Sequence, residues 1–84
     1  KYEKAGYYRE LYGISRTTYQ DRRDGIREQI KRGRYPEEAI QGRLVDKAVF
    51  WDYNRYGYYL RHYPKRAPAY DDRACLDAAL NLEG

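Results

Sequence analysis

In the run R-E-L-Y-G-I-S-R-T-T-Y, Arg9 to Tyr19, one helical pattern stops at a glycine and another starts two residues later. Gly13 is suited to the left-handed conformation that ends a helix, and Ile14 offers an apolar side chain to the corner. Ser15 is a good N-cap for a following helix. The run therefore predicts a tight turn between two helices.

The flanks extend both. Lys4 to Tyr12 reads as a short first helix, with Tyr8, Leu11 and Tyr12 on one side. The second helix starts from Ser15 and carries apolar positions at Tyr19, Ile26 and Ile30, with Arg22 and Arg23 filling the gap between them. Gly25 is a candidate interruption. Lys31 and Arg32 suit the C-terminal end of the helix dipole, and Gly33 suits its stop.

Beyond the Arg34–Tyr35 link, Pro36 sits where a first helical residue loses nothing by lacking an N–H, and Glu37 and Glu38 complement the dipole there. Ile40, Leu44, Ala48 and Trp51 recur at helical spacing, widened by Val45 and Val49. Continued through Tyr53, Tyr56, Leu60 and Tyr63, the pattern would make a helix of about 28 residues and about 42 Å. Asn54 and Gly57 mark a break, after which Tyr56 to Tyr63 forms a second helix or an extended segment. Tyr63 to Pro68 reads as a linker or arm, because two prolines stop any helix. Asp71 or Asp72 then caps a last helix through Leu82, with Leu76, Ala79 and Leu80 facing inward and Asp77 outward. The expected architecture is a single all-α domain of four to five helices. It has a helix-turn-helix region at 4–33, a helical packing region at 36–63, a proline-containing linker at 64–70 and a C-terminal helix at 71–82.

Charge singles out the first half. Lys and Arg number 17 against 13 Asp and Glu in 84 residues. Residues 1–35 hold 10 basic and 5 acidic side chains, whereas residues 71–84 hold 1 and 4. An anionic partner is favoured on the positive half, nucleic acid being the commonest. Tyrosine supplies 12 residues against one Phe and one Trp, so the core must be partly tyrosine, with many rings at its rim or in an interface. Cys75 is the only cysteine, which rules out an internal disulfide and favours a reducing compartment, cytoplasmic or nucleoid-associated. Its Ala-rich surroundings give it the role of a small buried side chain. No apolar run approaches the about 18 residues needed to cross a bilayer, so a soluble protein with no membrane span is expected. The chain opens on Lys1 rather than Met, compatible with a processed or trimmed piece.

Tyr12, Gly13, Ile14, Ser15, Arg16, Thr17, Thr18 and Tyr19 are of the types, in the order, that a DNA-reading corner needs. The region from Tyr8 to about Arg27 resembles the helix-turn-helix of small bacterial and phage regulators. The turn in that family commonly reads Gly, Val or Ile, Ser, two variable residues, Thr and an apolar residue. The resemblance implies that Ser15 caps a recognition helix and touches a phosphate. Arg16, Thr17 and Gln20 would face the major groove, and Thr18, Tyr19 and Ile14 would pack. Arg can pair bidentately with guanine and Gln with adenine. Arg23, Arg27, Lys31 and Arg32 would hold phosphates, which position the protein without reading sequence. Arg9 and Arg22 stand where the family usually has a small and an apolar residue, so the resemblance requires both to point outward. The run Lys31 to Ile40, K-R-G-R-Y-P-E-E-A-I, is also similar to the segment closing small helix-turn-helix units in some phage DNA-processing proteins. Relative to those, this chain carries roughly eight extra residues around Arg23 to Ile30.

Double-stranded DNA is accordingly the expected partner, with a homodimer or a larger protein assembly as a second kind of contact. The interleaved segment Tyr53 to Arg66 fits either unpaired bases or a protein interface, since Tyr and Arg serve both. Lys65 and Arg66 on the proline arm are candidates for a minor groove. Trp51, Tyr56, Tyr59, Arg61 and Tyr63 are the nominated interface residues, and a non-enzymatic subunit of a virion or organellar complex is the competing reading. Catalysis is not expected: one His and one Cys make no Cys and His zinc site, and the 7 dispersed glycines form no phosphate loop. His62, among Tyr and Arg, reads as a surface or interface side chain. No cofactor or metal is implied.

Overall fold

The computed structural model describes residues 1–84. In chain order its elements are β1 (Tyr2–Glu3), α1 (Ala5–Tyr12), α2 (Arg16–Lys31), β2 (Ile40–Gln41), β3 (Leu44–Asp46), α3 (Lys47–His62) and α4 (Asp72–Asn81). Short 3-10 turns occupy Glu37–Ala39 and Pro64–Arg66.

The α1–α2 corner forms where the sequence places it. Gly13 is left-handed at φ 63° and ψ 42°, and the Ile14 amide donates back to the Arg9 carbonyl at 3.0 Å, which closes the end of α1. Ser15 Oγ then accepts from the Thr18 amide at 3.1 Å and caps α2. At the far end Gly33, at φ 88°, lets the Arg34 amide reach the Gln29 carbonyl at 2.9 Å. Gly25 does not interrupt α2, which runs unbroken through it.

The all-α expectation needs correction: the helices carry a small antiparallel sheet in the order β1-β3-β2. The segment read as a helix starting at Pro36 is a 3-10 turn and a hairpin, and α3 starts only at Lys47. Gly42 decides this. It takes φ 59° at the first central position of the two-residue Gly42–Arg43 loop, with Gln41 paired to Leu44, a backbone no α-helix accepts. A 42 Å helix would also overrun a molecule whose longest extent is 31 Å. Pairing of Ile40 and Glu3 with Val45 instead makes β3 the central strand, with Val45 fully buried. Asp46 ends that strand and caps α3, its Oδ1 accepting from the Ala48 amide at 2.8 Å.

Gly57 does not break α3 either. The buried core is largely aromatic. Tyr8 stacks on Phe50 with centroids 4.3 Å apart, Tyr19 stacks on the same ring at 5.6 Å, and Tyr12 meets it edge-on at 5.0 Å. The Tyr8 hydroxyl, sealed in the core, donates to the Val45 carbonyl at 2.5 Å, which ties α1 to the sheet. Burial pushes this hydroxyl's pKa far above its ordinary value.

A second buried cluster joins α3 to α4. Asp52, which is 1% exposed, takes a bidentate pair from Arg34 at 2.9 and 3.1 Å and a hydrogen bond from the Tyr35 hydroxyl at 2.5 Å. Cys75 Sγ lies 3.7 Å from its other oxygen, so the cysteine is buried as expected. Asp71 caps α4 through the Ala74 amide. Leu80, expected to face inward, is 45% exposed; Cys75 and Ala79 are the α4 side chains that are buried.

Neither arginine flagged in the corner points freely outward, so the placement that the helix-turn-helix resemblance requires is met at neither position. Arg22 turns to α3 and donates to Asn54 Oδ1. Arg9 is half-buried, with its Nε shut from water and unpartnered.

Candidate nucleic-acid interface

Because α2 is locked inward by buried Tyr19, Ile26 and Gln29, its opposite face is held rigidly in solvent. Arg16, Thr17, Gln20, Arg27 and Lys31 all lie on it and are exposed. At 100° per residue Arg16, Gln20, Arg27 and Lys31 fall within roughly 60° of arc, a single ridge along the helix. Thr17 stands beside it. Ser15, exposed at the N-terminus, is engaged in capping and also donates to Thr18 Oγ1 at 3.1 Å.

Two of the nominated phosphate holders are already occupied. Arg23 is half-buried and donates through Nη2 to the Gly42 carbonyl at 2.7 Å, which pins the hairpin tip against α2. Arg32 leaves the ridge and pairs with Glu28 at 3.1 Å. Acidic side chains share the face: Asp21, Asp24 and Glu28 are exposed, and Gln20 Nε2 donates to Asp24 Oδ1 at 3.1 Å. The ridge is therefore positive along the edge nearest the hairpin and mixed in sign across its centre.

The hairpin carries Arg43 at its tip, exposed and near the N-terminal half of α2. Sequence reasoning did not nominate Arg43 or Lys4. The available signal was Gln41-Gly42-Arg43-Leu44, a glycine at the first position of a two-residue loop.

The nominated protein-contact residues divide. Tyr59, Arg61 and Tyr63 are exposed, and Trp51 is half-buried with the Arg55 guanidinium 5.9 Å over its ring. Tyr56 instead packs against the core. Tyr58, not nominated, is the most exposed large ring at 58% and lies 4.7 Å from the ring of His62, itself exposed. Lys65 and Arg66 sit on the 3-10 turn after α3, with Arg66 5.0 Å over the Tyr63 ring.

No helix is long and apolar enough to cross a membrane, and no group of His, Cys, Asp and Glu is placed to hold a metal ion. Compared with protein-family models, curated proteins and solved structures, the chain matches none.

Proposed function

We propose that this chain binds double-stranded DNA, with α2 presented to the major groove and Arg16, Thr17 and Gln20 reading base edges. It acts as a small regulator or accessory binding factor rather than an enzyme. The supporting observation is the exposed ridge Arg16, Gln20, Arg27 and Lys31 on a helix whose other face is fixed in an aromatic core. A rigid element is what a base-reading contact needs, because each bidentate pair demands fixed geometry. Arg27 and Lys31 then hold phosphates. The mixed charge of the helix face means that affinity comes from its hairpin-side edge, with Asp24 orienting Gln20. Titration of a labelled mixed-sequence duplex at low salt tests this. Affinity that falls steeply with added salt is expected, and no association at low salt ends the reading.

Tyr58, Tyr59 and Tyr63 are each at least 39% exposed around the C-terminal end of α3, next to Arg61. Exposed tyrosine beside arginine suits a protein contact, so a homodimer or a structural subunit of a larger assembly is the alternative. Sedimentation as a lone monomer, with no partner retained from native extracts, removes it.

A further inference from the structure

A cleft of about 420 Å³ lies where the start of α1, the N-terminal half of α2 and the hairpin tip meet, and its chemistry is one-sided. Lys4, Arg23 and Arg43 bring three cations to its wall, Gln20 adds an amide, and no carboxylate lines it. The floor is the N-terminal end of α1. An α-helix leaves its first amides without internal acceptors, and Lys4, at the N-cap, makes no side-chain bond to them. Gly6, in the first turn, has open space where a Cβ would stand, so a ligand atom can approach the backbone closely. The positive end of the helix dipole points the same way.

A separate observation marks the cleft as a place for an acceptor. Tyr19 lines it and is only 4% exposed, yet its hydroxyl has no hydrogen-bond partner. Buried hydroxyls are normally satisfied, and leaving one bare is unfavourable. Burial raises the pKa of this hydroxyl, an effect the Arg23 charge opposes. Arg23 is also held in place by its bond to the Gly42 carbonyl, which uses one of its five donors and fixes the rest.

We propose that this cleft binds a phosphate group, held by Lys4, Arg23 and Arg43, the first amides of α1 and the Tyr19 hydroxyl. Its expected source is a backbone phosphate of a duplex lying along α2. That source rests on the DNA reading above, whereas the anion chemistry of the cleft does not. A small phosphate ester is the other source.

Two arms test it on the intact chain. In the first, inorganic phosphate is titrated into isotope-labelled protein, with chloride at equal ionic strength as control. The amide signals of Ala5 and Gly6 should shift saturably with phosphate alone. Tyr19→Phe should weaken that binding about two- to tenfold, the range one hydrogen bond supplies, without lowering thermal stability. A purely structural hydroxyl would not change phosphate affinity. In the second arm, duplex binding is measured against salt for the wild type and for Lys4→Gln with Arg43→Gln. The variant should lower the salt slope by about one per lost phosphate contact and leave base preference unchanged.

Phosphate shifts with no duplex binding would keep the cleft as a small-phosphate site and end the DNA reading. An unchanged salt slope beside clear phosphate shifts assigns the cleft to the small ester. Duplex binding with an unchanged slope and no phosphate shift overturns the cleft and leaves the DNA reading standing. Silence in both arms overturns both.

Discussion

The Tyr53 ring is wedged between two glycines: a Cβ added at Gly25 on α2 would stand 2.0 Å from its hydroxyl, and one added at Gly57 on its own helix 3.1 Å from a ring carbon. The α2–α3 contact thus depends on the missing side chain at Gly25. Helix propensity alone would make Gly25→Ala stabilising by about 1 kcal/mol. Overpacking reverses the sign, and a loss of about 1–3 kcal/mol is expected in urea unfolding. Adding Tyr53→Ala should make the second substitution less than additive, because the clash disappears with the ring. Gly57→Ala should be milder, since the ring needs to move only a few tenths of an ångström.

Asp52 anchors Arg34 and Tyr35 from a buried position. Asp52→Ala strands a guanidinium and a hydroxyl and should lower stability by about 3–5 kcal/mol, close to unfolding for so small a domain. Asp52→Asn keeps the volume and one acceptor and should lower it by less. Denaturation midpoints of the two variants order the effects.

Cys75 gives a pH dependence with a defined sign. Burial, reinforced by the Asp52 charge, pushes its thiol from an ordinary 9.0 up to about 11. A raised folded value means that its contribution is intact below 9.0 and lost as pH rises through about 11. The melting temperature of Cys75→Ala should therefore fall less steeply than that of the wild type across that window. Alkylation of the native thiol at pH 8 should be slow and follow unfolding.

Two substitutions on α2 separate holding from reading. Lys31→Ala should weaken all duplexes alike and lower the salt slope by about one. Arg16→Ala should relax one base position, by about 1–3 kcal/mol of discrimination. Competition titrations with matched and mismatched duplexes distinguish the two.

The corner was legible because its rules are local: Gly13 and Ser15 set backbone and cap within a few residues. The same holds for the α2 stop at Gly33 and the α4 start at Asp71. The hairpin was not, because Ile40, Leu44, Ala48 and Trp51 mimic a helical stripe while Gly42 alone carries the contrary signal. Gly25 and Gly57 read as helix breakers because the partner that explains them, Tyr53, becomes visible only in three dimensions. The ridge residues Arg16, Gln20, Arg27 and Lys31 were named through the resemblance of the corner to a helix-turn-helix, and their shared exposure on α2 follows from the helical repeat. The cleft was not legible, since it draws Lys4, Arg23 and Arg43 from three separate elements.

Sequence reading by α2, as proposed, is tested most directly by selecting bound duplexes from a randomised pool, with wild type and Arg16→Ala in parallel. The wild type should enrich a defined short motif, and the variant should lose preference at one position while keeping the others. A pool returned without enrichment, or the same motif from both proteins, would contradict it.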